Sequence, residues 1–213
     1  MLYQIQHIPK DTAYNKRPGV AMEPSYLTIH STGNPSSTAI NERNWLTNPE
    51  NTKTASWHIV VDENVAIEAI PTSEMAWHAG DGKNGKGNRE SISIEICESG
   101  NRKKTVGNAA KLAAKILYEN GWGVERLKRH YDWSGKHCPK IFSDNNWEEW
   151  YRFKDIVSYE LEQLFISPWA KDAVDWATSP DVNITDGSLL KEPLTLERML
   201  TILHRYDKLR YKK

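Results

Sequence analysis

The sequence predicts an α/β fold: a mixed central β-sheet flanked by helices, with a small α-helical C-terminal unit. Short segments between residues 26 and 130 alternate apolar and polar side chains, the pattern of half-buried strands. Longer segments repeat apolar residues at helical spacing. The two kinds interleave along the chain, which favours helices packed on a sheet over an all-helical or all-strand domain.

Tyr26 to His30 is the first expected strand, with Leu27 and Ile29 on one face and Thr28 and His30 on the other. A helix follows over Ala39 to Leu46. Trp57 to Asp62 and Val65 to Ile70 flank Asp62-Glu-Asn64, a short turn, and read as a hairpin. Asp81-Gly-Lys-Asn-Gly-Lys-Gly-Asn88 is too rich in glycine for a core element and reads as a mobile surface loop. A phosphate-cradling loop would need a Lys-Ser/Thr ending and a helix directly after it, and neither is legible. Ser91 to Cys97 is the next strand, with Ile92, Ile94 and Ile96 on one face and Ser93 and Glu95 on the other. Ala109, Leu112, Ala113, Ile116 and Leu117 form the stripe of a helix over Asn108 to Asn120, stopped by Gly121. Glu125 to His130 is a further strand. Asn146 to Leu164 is a helix expected to turn Trp147, Trp150, Tyr151, Val157, Leu161 and Leu164 inward.

The character changes after Phe165. Ser167-Pro168 has the order of an N-cap followed by a first-turn proline, opening a helix over Trp169 to Ala177. Thr195 can cap a second helix with the stripe Leu196, Met199, Leu200 and Leu203. Turn residues of Asp181-Val-Asn-Ile-Thr-Asp-Gly187 and then Glu192-Pro193 lie between them. Two domains are expected, 1–165 and 166–213.

At 213 residues the chain is long enough for a full core plus a small second unit. Its formal net charge is zero, which argues against nucleic acid as the main partner. Nine tryptophans leave some aromatic surface for stacking on sugar rings. Two cysteines make no disulfide framework, and Cys97 reads as a small packed strand residue. The N-terminal residues have no cationic region followed by a continuous apolar core, and no stretch approaches a membrane span.

The chemistry concentrates in His130-Tyr-Asp-Trp-Ser-Gly-Lys-His-Cys138-Pro139. Imidazole and thiolate suit Zn²⁺, and His30, at the end of its strand, is the expected third ligand. Two histidines and a cysteine leave the fourth tetrahedral position open, as in catalytic rather than structural zinc. Glu95 is a carboxylate in the middle of an apolar strand, costly unless it has a partner or a task. If its strand neighbours Tyr26 to His30, Glu95 and His30 open onto one cleft. Asp132 could orient the His130 imidazole or serve only a local turn. His137 is expected to point away from the metal.

Five motifs occur in order: His30-Ser-Thr, Ser56-Trp-His58-Ile-Val-Val-Asp62, Trp77-His-Ala-Gly-Asp81, Ser91-Ile-Ser-Ile-Glu95-Ile-Cys97 and His130…Lys136-His-Cys138-Pro. Over roughly residues 20 to 160 the chain resembles the type-2 N-acetylmuramoyl-L-alanine amidases, zinc enzymes of bacterial and phage cell-wall lysis related to peptidoglycan recognition proteins. The combination looks most like the amidase domains of phage endolysins. The resemblance implies zinc held by His30, His130 and Cys138, with zinc polarising the carbonyl and activating water. It places Glu95 as general base, Lys136 as stabiliser of the oxyanion, and His58 and His78 along the substrate cleft. The implied substrate is bacterial peptidoglycan, cut between N-acetylmuramic acid and L-alanine. Glycosidase chemistry would need a second, paired carboxylate beside Glu95.

The resemblance also implies synthesis in the host cytoplasm and action on the wall after release by a membrane-perforating partner. The alternatives are a host autolysin or germination amidase, a non-catalytic recognition module, and an amidase acting on soluble muropeptides. Residues 166–213 resemble a single S-layer-homology-like repeat in the order Trp-Ala-x-x-Ala-Val…Ile-Thr-Asp-Gly. That implies binding to a secondary cell-wall polymer, with a packed helical pair or a homodimer contact as the other readings.

Overall fold

The computed structural model describes residues 1–166, 170–185, 187 and 195–210. It divides into two compact units, Met1–Leu161 and Glu162–Lys213.

The first unit is built on a six-stranded sheet: β1 (Leu2–Ile5), β2 (Tyr26–Ser31), β3 (Ile59–Val61), β4 (Val65–Glu68), β5 (Ser91–Ile96) and β6 (Leu127–Arg129). The spatial order is β1-β4-β3-β5-β2-β6, with only the β3–β4 pair antiparallel. The helices are α1 (Ala39–Trp45), α2 (Lys86–Glu90), α3 (Arg102–Glu119), α4 (Tyr131–Ser134) and α5 (Asp144–Phe165). The expected mixed sheet flanked by helices is present.

Strand alternation divides the sheet into two chemically different faces. Leu27, Ile29, Ile59, Val61, Ile92, Ile94 and Ile96 point to one face, where they pack with the apolar stripes of α3 and α5 in the main core. All five residues expected in the α3 stripe are buried there. In α5 the buried set is Trp147, Trp150, Phe153, Val157 and Leu161. Tyr151 and Leu164, expected inside, are instead 58% and 41% exposed. Phe153 takes the inward position, because spacing of three or four residues from Trp150 to Val157 passes through it rather than Tyr151.

The opposite face carries Thr28, His30, Ser91, Ser93 and Glu95 together with Val60, Ile67 and Cys97, and Ala39 of α1 packs on the last three. Asp62 joins α1 to the hairpin. Its Oδ2 accepts from Ala39 N–H at 3.0 Å, and its Oδ1 accepts from Asn64 and Val65 N–H at 2.7 and 2.9 Å. Both cysteines are buried free thiols.

Two elements depart from expectation. β1 pairs with β4 through its backbone, while Leu2 and Ile5 remain more than half exposed; a strand with no buried face leaves no hydrophobic period to read. The glycine-rich run is pinned rather than loose. Its last residues belong to α2, Gly87 and Asn88 are buried, and Asp81 accepts from the N–H groups of both. Glycine at 87 serves close approach: a Cβ there would lie 2.4 Å from Ala79 Cβ.

In the second unit, α6 (Lys171–Thr178) and α7 (Leu196–Arg210) are the expected helical pair. Thr195 Oγ1 accepts from Arg198 N–H, as an N-cap does. The expected Ser167-Pro168 cap and the Glu192-Pro193 pair lie outside the described residues. Among the described residues no helix is long and apolar enough to cross a membrane.

Candidate metal and active site

Parallel pairing of β2 with β5 sets His30 opposite Glu95, and β6 on the other side of β2 delivers His130 directly after its last residue. A chain segment then turns through α4 and returns Cys138. Tyr131 N–H donates to the Cys138 carbonyl, and Lys140 N–H donates to Ser31 Oγ at 3.0 Å, fastening this segment to the end of β2.

His30, His130 and Cys138 converge, with one ligand atom from each lying within 4.8 Å of the others. His30 Nδ1 is 3.0 Å from His130 Nδ1 and 3.8 Å from Cys138 Sγ. All three side chains are buried. Burial and neighbouring groups hold His30 well below the usual imidazole range and His130 at about 4, so both rings are neutral. The His130 ring hydrogen-bonds the Ala79 carbonyl, and its Nδ1 faces the cluster. Imidazole nitrogens face a thiol that carries at most one proton, and such a convergence of donor atoms suits a cation. Burial first, then Glu95, pushes the Cys138 thiol up to about 12; a bound cation would favour its thiolate.

Glu95 Oε1 lies 3.9 Å from His30 Nδ1, and Oε2 is buried with no hydrogen-bond partner. Burial, reinforced by Glu42, raises the carboxyl to about 8, while Lys136 acts in the opposite direction. Lys136 itself is exposed, and its ammonium is near enough to influence His30, His130, Glu95 and Cys138.

The remaining expected residues fall differently. His58 is fully buried. Its Nδ1 accepts from Ser93 N–H at 2.9 Å and its Nε2–H donates to the Glu74 carbonyl at 2.8 Å. His78 is also buried, with Nδ1 3.1 Å from His30 Nε2 and Nε2 3.1 Å from the Ser91 carbonyl. The nitrogens of both rings are engaged within the protein. Asp132 accepts from Arg129 N–H at 2.7 Å and pairs with the Arg129 guanidinium, which leaves the orientation of His130 to Ala79. His137 is exposed and lies against Trp147, away from the ligand cluster.

A cavity of about 460 Å³ opens beside β2 and α1, lined in part by Thr32, Asn34, Asn41, Glu42 and Trp45. Trp45 is 45% exposed. Sequence reading passed over these residues because serine, asparagine and threonine there carry only turn and cap signals. Gly80 has φ +70°, and a Cβ would lie 3.0 Å from Ser134 Oγ and 3.4 Å from His130 Nε2, so only glycine lets this turn approach the ligand.

Comparison with known proteins points the same way. Residues 20–141 match the protein family described as N-acetylmuramoyl-L-alanine amidase, a span that contains every ligand of the cluster. The chain is 39% identical over 165 residues to N-acetylmuramoyl-L-alanine amidase CwlA of Bacillus subtilis (strain 168), covering 75% of this chain and 58% of the relative. It is 36% identical over 204 residues to CwlH of the same organism, covering 90% of this chain and 75% of the relative. The solved catalytic domain of XlyA superimposes with a TM-score of 0.67 at 38% identity, covering 74% of this chain and 99% of that domain. The chain thus spans the whole of a solved catalytic domain but only 58% of CwlA. Motif order, sheet topology and ligand cluster agree with these matches: the chain belongs to the N-acetylmuramoyl-L-alanine amidase family.

Proposed function

We propose that the protein hydrolyses the amide bond between N-acetylmuramic acid and L-alanine in bacterial peptidoglycan. The observation that carries this is the buried His30–His130–Cys138 cluster with the partnerless Glu95 oxygen beside it. His30, His130 and Cys138 would hold Zn²⁺, a set of two imidazoles and one thiolate that suits this ion. When bound, zinc supplies Lewis acidity that polarises the scissile carbonyl and eases deprotonation of water.

Glu95 takes a proton from the water as its oxygen attacks the amide carbon. The C–N bond then breaks, and Glu95 passes the proton to the leaving nitrogen of L-alanine. The products are a carboxylate on the lactyl group and a free stem peptide. Burial raises this carboxyl to about 8, and a cation held beside it by His30, His130 and Cys138 would favour the carboxylate, the form that takes the proton and carries it between the two halves of the reaction. Lys136 offers a mobile ammonium at the rim to the oxygen that becomes anionic. The cavity along Thr32, Asn41, Glu42 and Trp45 is the proposed seat of the stem peptide and its sugar, with the Trp45 ring as a stacking surface.

The intact ligand set and the orphaned Glu95 oxygen favour hydrolysis over a recognition-only role. The biological setting that fits is an endolysin made in the host cytoplasm that reaches the wall after holin-type release, supported by the similarity to a solved mutant endolysin from Bacillus subtilis. Residues 166–213 serve as a wall-polymer-binding or assembly unit, supported by the exposed apolar side chains of α7.

Mass spectrometry of digested peptidoglycan tests the reaction. Free stem peptides beginning with L-alanine, no new reducing sugar ends, and loss on zinc removal are the expected result. New reducing ends, or wall bound without release of peptide, would overturn it.

A further inference from the structure

We infer that His78, rather than contacting substrate, is a positioning residue that fixes the tautomer of His30 and presents its Nδ1 to the metal. This rests on the metal-site reading above. The His78 ring lies edge-on to His30, with ring centres 5.1 Å apart and planes at 87°. The Ser91 and Gly87 carbonyls both lie against the His78 ring, Ser91 at 3.1 Å from Nε2, while Nδ1 is turned to His30; since carbonyls only accept, we place the proton of this neutral imidazole on Nε2. Its Nδ1 is therefore bare and accepts from His30 Nε2 at 3.1 Å. That places the His30 proton on Nε2 and leaves Nδ1, the atom nearest His130, Cys138 and Glu95, as the free donor.

The segment carrying His78 is itself held. Asn88, buried at the end of the glycine-rich run, accepts from both His78 N–H and Ala79 N–H through one oxygen at 2.8 Å, while its amide donates to the Gly82 carbonyl. The next residue, Ala79, supplies the carbonyl that receives the His130 ring proton. Two consecutive residues of Trp77-His78-Ala79-Gly80 thus orient two of the three ligands, one by a side chain and the other by a main-chain oxygen. This assigns a task to that motif, and to the glycines and Asn88 that follow it. Partners of this kind fix ring orientation and typically change metal affinity by about 10–100-fold.

The test uses the zinc-loaded full chain. Zinc affinity is measured by chelator competition for wild type, His78→Asn and His78→Leu. Asparagine can place an acceptor oxygen close to the original Nδ1, whereas leucine offers none. The expected result is a loss of about 10–100-fold for His78→Leu with affinity largely restored in His78→Asn. Equal affinity of His78→Leu and wild type, at equal thermal stability, would overturn the proposal. Failure of wild type to bind zinc would overturn the metal site as well, which separates the two claims. Should His78→Leu not fold, ¹⁵N spectroscopy of the wild-type rings decides. A proton on His78 Nε2, with coupling across the hydrogen bond from His30 Nε2 to His78 Nδ1, supports the assignment; a proton on His78 Nδ1 refutes it.

Discussion

His30 of β2 stands directly opposite Glu95 of β5, and the parallel register brings Glu95 Oε1 to 3.9 Å from His30 Nδ1. A proposed metal ligand and the proposed proton carrier are therefore fixed by one sheet, with no loop between them to adjust. The separation is set by backbone hydrogen bonding, which is stiffer than side-chain packing alone. Replacing Glu95 by Gln preserves shape and removes the base. Turnover of peptidoglycan should fall by about 10²–10⁴-fold, the usual contribution of a positioned base. Zinc content measured by atomic emission should stay at the wild-type ratio. Loss of zinc together with activity would instead make Glu95 a structural support for the ligands.

Lys136 presents the opposite case, a charge at the rim rather than in the floor. Its proposed action is on the oxyanion, which exists only on the reaction path. Lys136→Met should therefore lower kcat by about 10²-fold, within the range known for loss of one oxyanion donor. KM and zinc affinity should change little. A variant that weakens KM with kcat intact would move Lys136 from oxyanion stabilisation to substrate binding.

Much of this arrangement is legible in the residues themselves. Alternation in Ser91 to Cys97 separates Glu95 from the isoleucines, and the same alternation in Tyr26 to His30 puts His30 on the matching face. Strand adjacency is not written in either segment, because β5 pairs with β2 across the intervening residues 32–90 and neither strand alone specifies its neighbour. His58 and His78 show a second limit. Strand position gives the face on which His58 lies, but whether a ring nitrogen is free depends on which donors surround it. The Ser93 N–H and the carbonyls of Glu74 and Ser91 come from other elements. β1 shows a third: its stability comes from backbone pairing with β4, to which side-chain patterning is blind.

His58 makes stability depend on pH. Burial lowers its pKa from 6.5 to about 4, against the opposing pull of the Glu74 carbonyl and of the Glu68 and Glu74 carboxylates. Between these values the unfolded chain takes up a proton that the folded chain refuses. Its contribution is thus complete above pH 6.5 and is lost as pH falls toward 4. The shift corresponds to about 3 kcal/mol across that window. His58→Asn keeps an acceptor for Ser93 N–H and does not titrate. Urea unfolding at pH 7 and pH 4.5 should show wild type losing more stability than the variant. Parallel losses would mean that the other buried histidines carry the whole dependence.

The second unit exposes apolar side chains of the kind that a packed helix buries. Leu196, Leu200 and Leu203 of α7 are 67%, 55% and 52% exposed, and they recur at the spacing of one helical face. An apolar stripe this regular is costly in water unless something covers it. Leu200→Glu with Leu203→Glu should leave hydrolysis of soluble muropeptides unchanged, because the ligand cluster and Glu95 belong to the first unit. Binding of the double variant to intact walls should fall at least tenfold if the stripe meets wall polymer. A fall in mass by light scattering, with wall binding kept per subunit, would assign the stripe to a second copy. Unchanged wall binding and unchanged mass would remove both roles and leave the helical pair as packing alone.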